Sequence, residues 1–131
     1  MGDLTQMNTD KHGLEAVCEA IIGAAFRVSN TLGSGFLEKV YENALAHELR
    51  ASGFQVAQQP PIKVMYQGVA VGDYVADLLV AGCVLVELKC VKHLEDIHVA
   101  QCINYLRATG LRRALILNFH HPKVGVKRIS L

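Results

Sequence analysis

The sequence predicts an α/β domain, a mixed β-sheet flanked by helices, and three observations predict it. Apolar residues recur at helical spacing from Leu14 to Leu49. After Gly53 the period shortens to that of strands. A later helical segment, Glu95 to Thr109, then separates three apolar strands from two more.

The first helix is expected from about Leu14 to Leu32, with Leu14, Val17, Cys18, Ile21, Ile22, Ala25 and Phe26 on one face. Gly33-Ser34-Gly35 breaks it. A second helix follows from Phe36 to Ser52, its stripe formed by Leu37, Val40, Tyr41, Ala44, Leu45 and Leu49, with Gly53 as its stop. Phe54–Gln59 and Ile62–Tyr66 read as one strand interrupted by Pro60-Pro61, which suits a sheet edge or a bulge. Gln67-Gly68 turns into Val69–Val71. Tyr74–Val80, Cys83–Val91, Ala114–Phe119 and Val124–Leu131 complete the strands.

At 131 residues the chain is long enough for one core and too short for two. We therefore expect one domain over residues 13–131, preceded by a polar, frayed segment at 1–12. The longest apolar run, Val75 to Leu88, is interrupted by Asp77 and Glu87, which excludes a membrane span there. The polar N-terminus has no secretory h-region, so a cytoplasmic protein is expected. Cys18, Cys83, Cys90 and Cys102 contain no C-x-x-C pair and read as small buried hydrophobes. His98 and Cys102 stand four apart, a spacing that can chelate zinc, with His120-His121 as the further donors available.

The net charge of +1 hides an asymmetry. Residues 1–87 hold five Lys/Arg against ten Asp/Glu, and residues 88–131 hold eight against two. A basic C-terminal third beside an acidic middle suits a polyanion held near bound metal, or two helices that are merely acidic.

The chemistry concentrates on two strands. In CVLVELKCV, alternation puts Leu85, Glu87 and Lys89 on one face and Val84, Val86 and Leu88 on the other. A strand this apolar is covered on both sides, and charges on it are costly unless they pair or hold a metal. The preceding strand repeats the anomaly at Asp77. A three-residue loop, Ala81-Gly82-Cys83, sets Asp77 directly across from Glu87, with Lys89 one same-face step beyond. A two-residue loop puts the acids on opposite faces. Facing carboxylates with the Leu88 carbonyl offer the hard oxygen ligands that Mg²⁺ or Mn²⁺ prefers. A water bound there is acidified and a phosphodiester polarised, while the Lys89 ammonium orients that water or neutralises developing charge. A lone [DE]-x-K arises by chance on the order of once in such a chain; the signal is its conjunction with the in-register acid. The alternative is an Asp/Glu–Lys network without metal.

Two helices add candidates. Glu38 flanks the apolar stripe, with Tyr41 and Leu45 on its side, and is either directed along the sheet or solvated. His98, Gln101 and Tyr105 form a half-polar stripe on the later helix, as a helix boundary also would.

The segment GFLEKVY, with Gly35, Glu38 and Tyr41, resembles the motif of the GxxExxY family, a branch of the PD-(D/E)xK nuclease superfamily. The resemblance runs from about Leu14 to Leu131 and takes in the Asp77 strand, VELK, AQCINYLRATG, LILNF and VKRI. It implies a restriction-endonuclease-like α-β-β-β-α-β core, with the first helix and last strand as additions. It implies that Asp77 and Glu87 bind metal, that Lys89 assists catalysis and that Glu38 is a helix-borne acid near the metal. Gln101 and Tyr105 resemble the Q-x-x-x-Y element of RecB-like nucleases, whereas the iron–sulfur cysteine pattern of some of those relatives is absent. The function implied is a metal-dependent nuclease acting on DNA more than RNA. The competing readings are a catalytically silent nucleic-acid-binding module and a homo-oligomeric assembly protein, a homodimer for instance, using the Val- and Leu-rich surface.

Overall fold

The computed structural model describes residues 11–131. Of the frayed segment expected over residues 1–12, residues 1–10 therefore lie outside the described residues. In chain order the elements are α1 (Lys11–Leu32), α2 (Glu38–Ala51), β1 (Val56–Gln58), β2 (Pro61–Tyr66), β3 (Val69–Val75) and β4 (Leu78–Val80). They continue with β5 (Val84–Lys89), α3 (Asp96–Thr109), β6 (Arg113–Asn118) and β7 (Gly125–Ser130).

Five strands form a mixed sheet in the order β1-β4-β5-β6-β7, in which β5 and β6 run parallel and the other neighbours antiparallel. The parallel pair needs a crossover, and α3 supplies it. The central strand β5 has Val84, Val86 and Leu88 on one face, packed with Leu14, Ile21, Tyr41, Leu45 and other residues of α1 and α2. Leu85 lies on the opposite face, with Cys102, Tyr105 and Leu106 of α3. The sheet is thus flanked by helices on both sides, with α1 added before the core and β7 added at its edge.

The first strand is interrupted at Pro60, as the sequence suggests, and Tyr74–Val80, expected as one strand, is divided as well. Gln59 has φ +56° and Pro60 has no N–H, so the first strand leaves the main sheet after β1. Its partner leaves at Ala76-Asp77. The two bends are tied together, since the Gln59 N–H donates to the Asp77 carbonyl (2.9 Å) and the Ala76 N–H to the Pro60 carbonyl (3.2 Å). Beyond them β2 and β3 pair only with each other. They close at Gln67-Gly68, both at positive φ, as a two-residue hairpin turn requires. This arm leans on α3 through Ile62 and through Tyr74, whose ring lies 5.8 Å from that of Tyr105.

The second helix also differs from expectation. Its buried face is Tyr41, Glu42, Leu45, Ala46 and Leu49, whereas Leu37 is 80% exposed and Val40 lies at the surface. Of the residues at the start of α2, Tyr41 turns into the core while Leu37 and Val40 turn to solvent. The charge asymmetry is partly consumed inside the fold as well. Arg113 pairs with Glu15 of α1, and Arg128 with Glu15 and Glu19, so these two cations brace α1 on the sheet.

Candidate functional site

The loop Ala81-Gly82-Cys83 joins β4 to β5 with Ala81 and Gly82 at positive φ. The ladder pairs Val80 with Val84, Leu79 with Leu85 and Leu78 with Val86, so Asp77, one residue before β4, comes opposite Glu87. The two acids are locked by crossed hydrogen bonds. The Asp77 N–H donates to Glu87 Oε1 (2.9 Å), and the Leu88 N–H donates to Asp77 Oδ2 (2.7 Å). Each carboxylate thus has one oxygen fixed by the other strand's backbone, which sets the direction of the second. A strand residue turns its N–H and C=O toward the same edge, so the Leu88 carbonyl is directed toward the Asp77 side.

These charges are expensive where they stand. Glu87 is 6% exposed, and burial with the nearby Asp77 charge pushes its carboxyl up to about 7, against the Asp77 N–H and Lys89, which favour ionisation. Burial also raises Asp77, opposed by the Leu88 N–H; the charge of Glu42 adds to the rise, and Lys89 and Gln59 counter it. Lys89, at the half-buried end of β5, is the cation whose charge both acids feel.

Glu42 and Gln59 were not singled out by the sequence. Glu42 is 3% exposed and accepts from Lys39 Nζ (2.9 Å), Gln58 Nε2 (2.7 Å) and Gln59 Nε2 (2.8 Å). It therefore clamps the β1–β2 bend, whose backbone holds the Asp77 carbonyl. Replacing Glu42 by alanine removes the shared acceptor of Lys39, Gln58 and Gln59, and we expect a loss of about 1–2 kcal/mol of stability. Denaturant midpoints test this, and a change below about 0.5 kcal/mol would show the clamp to be idle. The signal available in the sequence was helical spacing: Glu42, Ala46 and Leu49 share one face.

Glu38 opens α2 and is exposed, yet its charge reaches both Glu87 and Cys90. It stands at the margin of the acid pair. Tyr41 is fully buried. Its hydroxyl donates to the Gly33 carbonyl (2.6 Å) and accepts from the Phe36 N–H (3.3 Å), and its ring stacks on Phe119 at 4.6 Å. Tyr41 thus fastens the glycine loop, where Gly35 has φ +107°, and so holds the start of α2 and Glu38 beside β5.

From α3, Tyr105 feels the acids, its hydroxyl pKa raised by burial and then by the charge of Glu87. Gln101, one turn earlier, lines the cleft between α3 and the β2–β3 arm. His98 serves the helix end: its Nδ1 accepts from the Glu95 N–H (3.1 Å), closing a capping box. Cys102 is buried, and burial together with the Glu87 charge pushes its thiol up to about 12. A protonated thiol and a histidine spent on capping make a poor zinc pair. Among the described residues no three His, Cys, Asp or Glu side chains form a metal-binding group, and all four cysteines are free.

The acid pair itself fits a divalent cation. Two carboxylates that repel one another in a buried setting gain from a cation between them, and with the Leu88 carbonyl the donors are all hard oxygens. Such a set suits Mg²⁺ or Mn²⁺ and leaves positions for water and a phosphate oxygen.

A mixed sheet with acids crossed over one hairpin, a lysine two residues on and helices on both faces defines a nuclease-type α/β core. The chain belongs to the PD-(D/E)XK nuclease superfamily, whose family profile matches residues 15–129. The fold is similar to the crystal structure of an alkaline exonuclease from Laribacter hongkongensis, with a TM-score of 0.50 at 16% identity over 88% of this chain and 81% of that one. The same exonuclease in complex with dAMP gives a TM-score of 0.49 at 16% identity, over 88% and 82%. No curated protein matches the chain.

Proposed function

We propose that this protein is a divalent-metal-dependent nuclease that hydrolyses phosphodiester bonds of nucleic acid, DNA in preference to RNA. The observation that carries the reading is the pair of crossed hydrogen bonds that presents Asp77 and Glu87 side by side with Lys89 next to them. Membership of the superfamily supports it. Within the superfamily we place the chain in the GxxExxY branch, on the segment with Gly35, Glu38 and Tyr41. The free cysteines suit a reducing, cytoplasmic setting. No helix among the described residues is long and apolar enough to cross a membrane.

In this reading Asp77, Glu87 and the Leu88 carbonyl hold Mg²⁺ or Mn²⁺. The bound ion supplies Lewis acidity at the phosphate and lowers the pKa of a water. Lys89 orients the attacking water and neutralises charge that builds on the phosphoryl oxygens. Glu38 draws the cation and its solvent toward the margin of the site. Tyr105 and Gln101 wall the site on the α3 side, Tyr41 fixes the loop behind Glu38, and His98 keeps the start of α3 in place.

The purified protein is expected to cut double-stranded, single-stranded or branched DNA with Mg²⁺ or Mn²⁺ present, and chelation should abolish cutting. Folded, metal-loaded protein that cleaves none of these substrates, nor RNA, would leave a binding module. Failure to bind metal in calorimetry would remove the nuclease reading and leave the fold.

A further inference from the structure

The cleft between the β2–β3 arm and α3 is assigned no part in the reaction above beyond the wall formed by Gln101 and Tyr105. It encloses about 700 Å³, the scale of a small-molecule site and too small for a double helix. One wall is the arm, with Met65 56% exposed and Tyr74 50% exposed. The other is a face of α3 on which Ala100 leaves room beside Asn104 and Arg107. Arg107 is the one charged residue of the lining. The cleft adjoins the acid pair: Tyr105, Leu85 and Ala76 share a core cluster, Ala76 precedes Asp77, and Leu85 lies on the face of Glu87.

This combination recognises one chemistry. A half-exposed aromatic ring beside a thioether stacks on a base, a carboxamide reads base edges, and the Arg107 guanidinium, held by one long hydrogen bond to Asn104 Oδ1 (3.5 Å), has donors left for a phosphate. A single strand uses the aromatic wall and the Arg107 charge together, the cation being the one charge that the lining offers.

We infer that this cleft is a nucleotide subsite that takes an unpaired strand leading to the acid pair, with Tyr74 as its stacking platform and Arg107 as its phosphate contact. The inference rests on the nuclease reading for its direction and adds the substrate class: a single strand, or the unpaired end of a duplex.

The chain has no tryptophan, and two of its four tyrosines, Tyr74 and Tyr105, line the cleft, so a fraction of the tyrosine emission reports it. An oligothymidine of about a dozen nucleotides should quench that emission in EDTA, where nothing is cleaved. Tyr74→Ala should weaken its binding roughly 5- to 100-fold, and Tyr74→Phe should restore it. Arg107→Ala should lower the slope of log affinity against log salt by roughly 0.7. Ala100→Leu, which narrows the cleft from the helix side with a good helix former, should weaken binding independently of the tyrosine. Cleavage by the wild type with Mn²⁺ is measured in parallel. Cleavage with single-strand affinity unchanged in Tyr74→Ala and Ala100→Leu overturns the subsite and spares the nuclease. Quenching and variant effects without any cleavage support the subsite and overturn the nuclease. No binding and no cleavage overturn both. A wild-type dimer that Tyr74→Ala converts to monomer, with nucleic-acid binding unaltered, makes the cleft an interface between copies and overturns the subsite.

Discussion

Lys89→Ala protein should take up Mn²⁺ at least as tightly as the wild type and yet cleave nucleic acid roughly 10²–10³-fold more slowly. The ammonium adds a positive charge beside the acid pair, so removing it lowers the repulsion toward a second cation. The same charge is what the phosphoryl oxygens need as the scissile bond breaks. Asp77→Asn and Glu87→Gln should behave differently, losing metal affinity by more than about 100-fold and cleavage with it, since a neutral amide oxygen replaces an anionic ligand. Calorimetric titration with Mn²⁺ beside a cleavage assay separates the two behaviours. If Lys89→Ala instead lost metal binding, or lost stability while cleaving normally, Lys89 would be a salt-bridge partner with no part in the chemistry.

Glu87→Gln has a second expected effect, of opposite sign. In the metal-free wild type the Glu87 carboxyl sits near 7 against an ordinary 4.5. Between those values the folded protein retains a proton that the unfolded chain has released. Stability is therefore fully present below about 4.5, falls as pH rises and levels off above about 7. The fall amounts to about 3 kcal/mol. Glutamine keeps an oxygen for the Asp77 N–H and presents its own N–H groups to the Asp77 carboxylate, without the charge. At pH near 8 in EDTA the variant should thus be more stable than the wild type by about 3 kcal/mol, and near pH 4.5 the two should converge. Mg²⁺ at about a thousandfold excess over Kd should reverse the order at high pH, because it stabilises only the protein that binds it, by about 4 kcal/mol. Unfolding curves at the two pH values decide the matter; a variant less stable at both would show that the buried carboxylate is well solvated.

The sequence made β5 legible because its chemistry is local. Leu85, Glu87 and Lys89 differ by two, and the backbone's pleat alone puts them together. One glycine-containing loop then carried the register to Asp77, since a hairpin of fixed loop length has one pairing. Glu42 was hidden because the buried face of α2 is rotated from its apolar stripe. Leu37 and Val40 satisfy an apolar stripe on paper but face solvent, and they drew the expected face away from Glu42 and Ala46. Gln59 was hidden for another reason. Its contribution depends on a left-handed backbone before Pro60 and on a partner far along the chain, and neither leaves a period in the sequence. Arg113 and Arg128 looked available for a polyanion only because α1, with Glu15 and Glu19, could not be docked from the sequence.

The paired bends at Gln59-Pro60 and Ala76-Asp77 divide the molecule's chemistry from its reach. Everything between Pro61 and Val75 closes on itself as a separate ribbon, while the two hydrogen bonds across the bends belong to the frame that holds Asp77. Adding a matched pair of residues to both strands of the ribbon lengthens it outward and moves neither Asp77 nor Glu87. What the outer ribbon touches can therefore change at little risk to the acids, and a designer wishing to redirect the protein has a part to exchange: the ribbon beyond Ile62 and Tyr74, which stay anchored on α3.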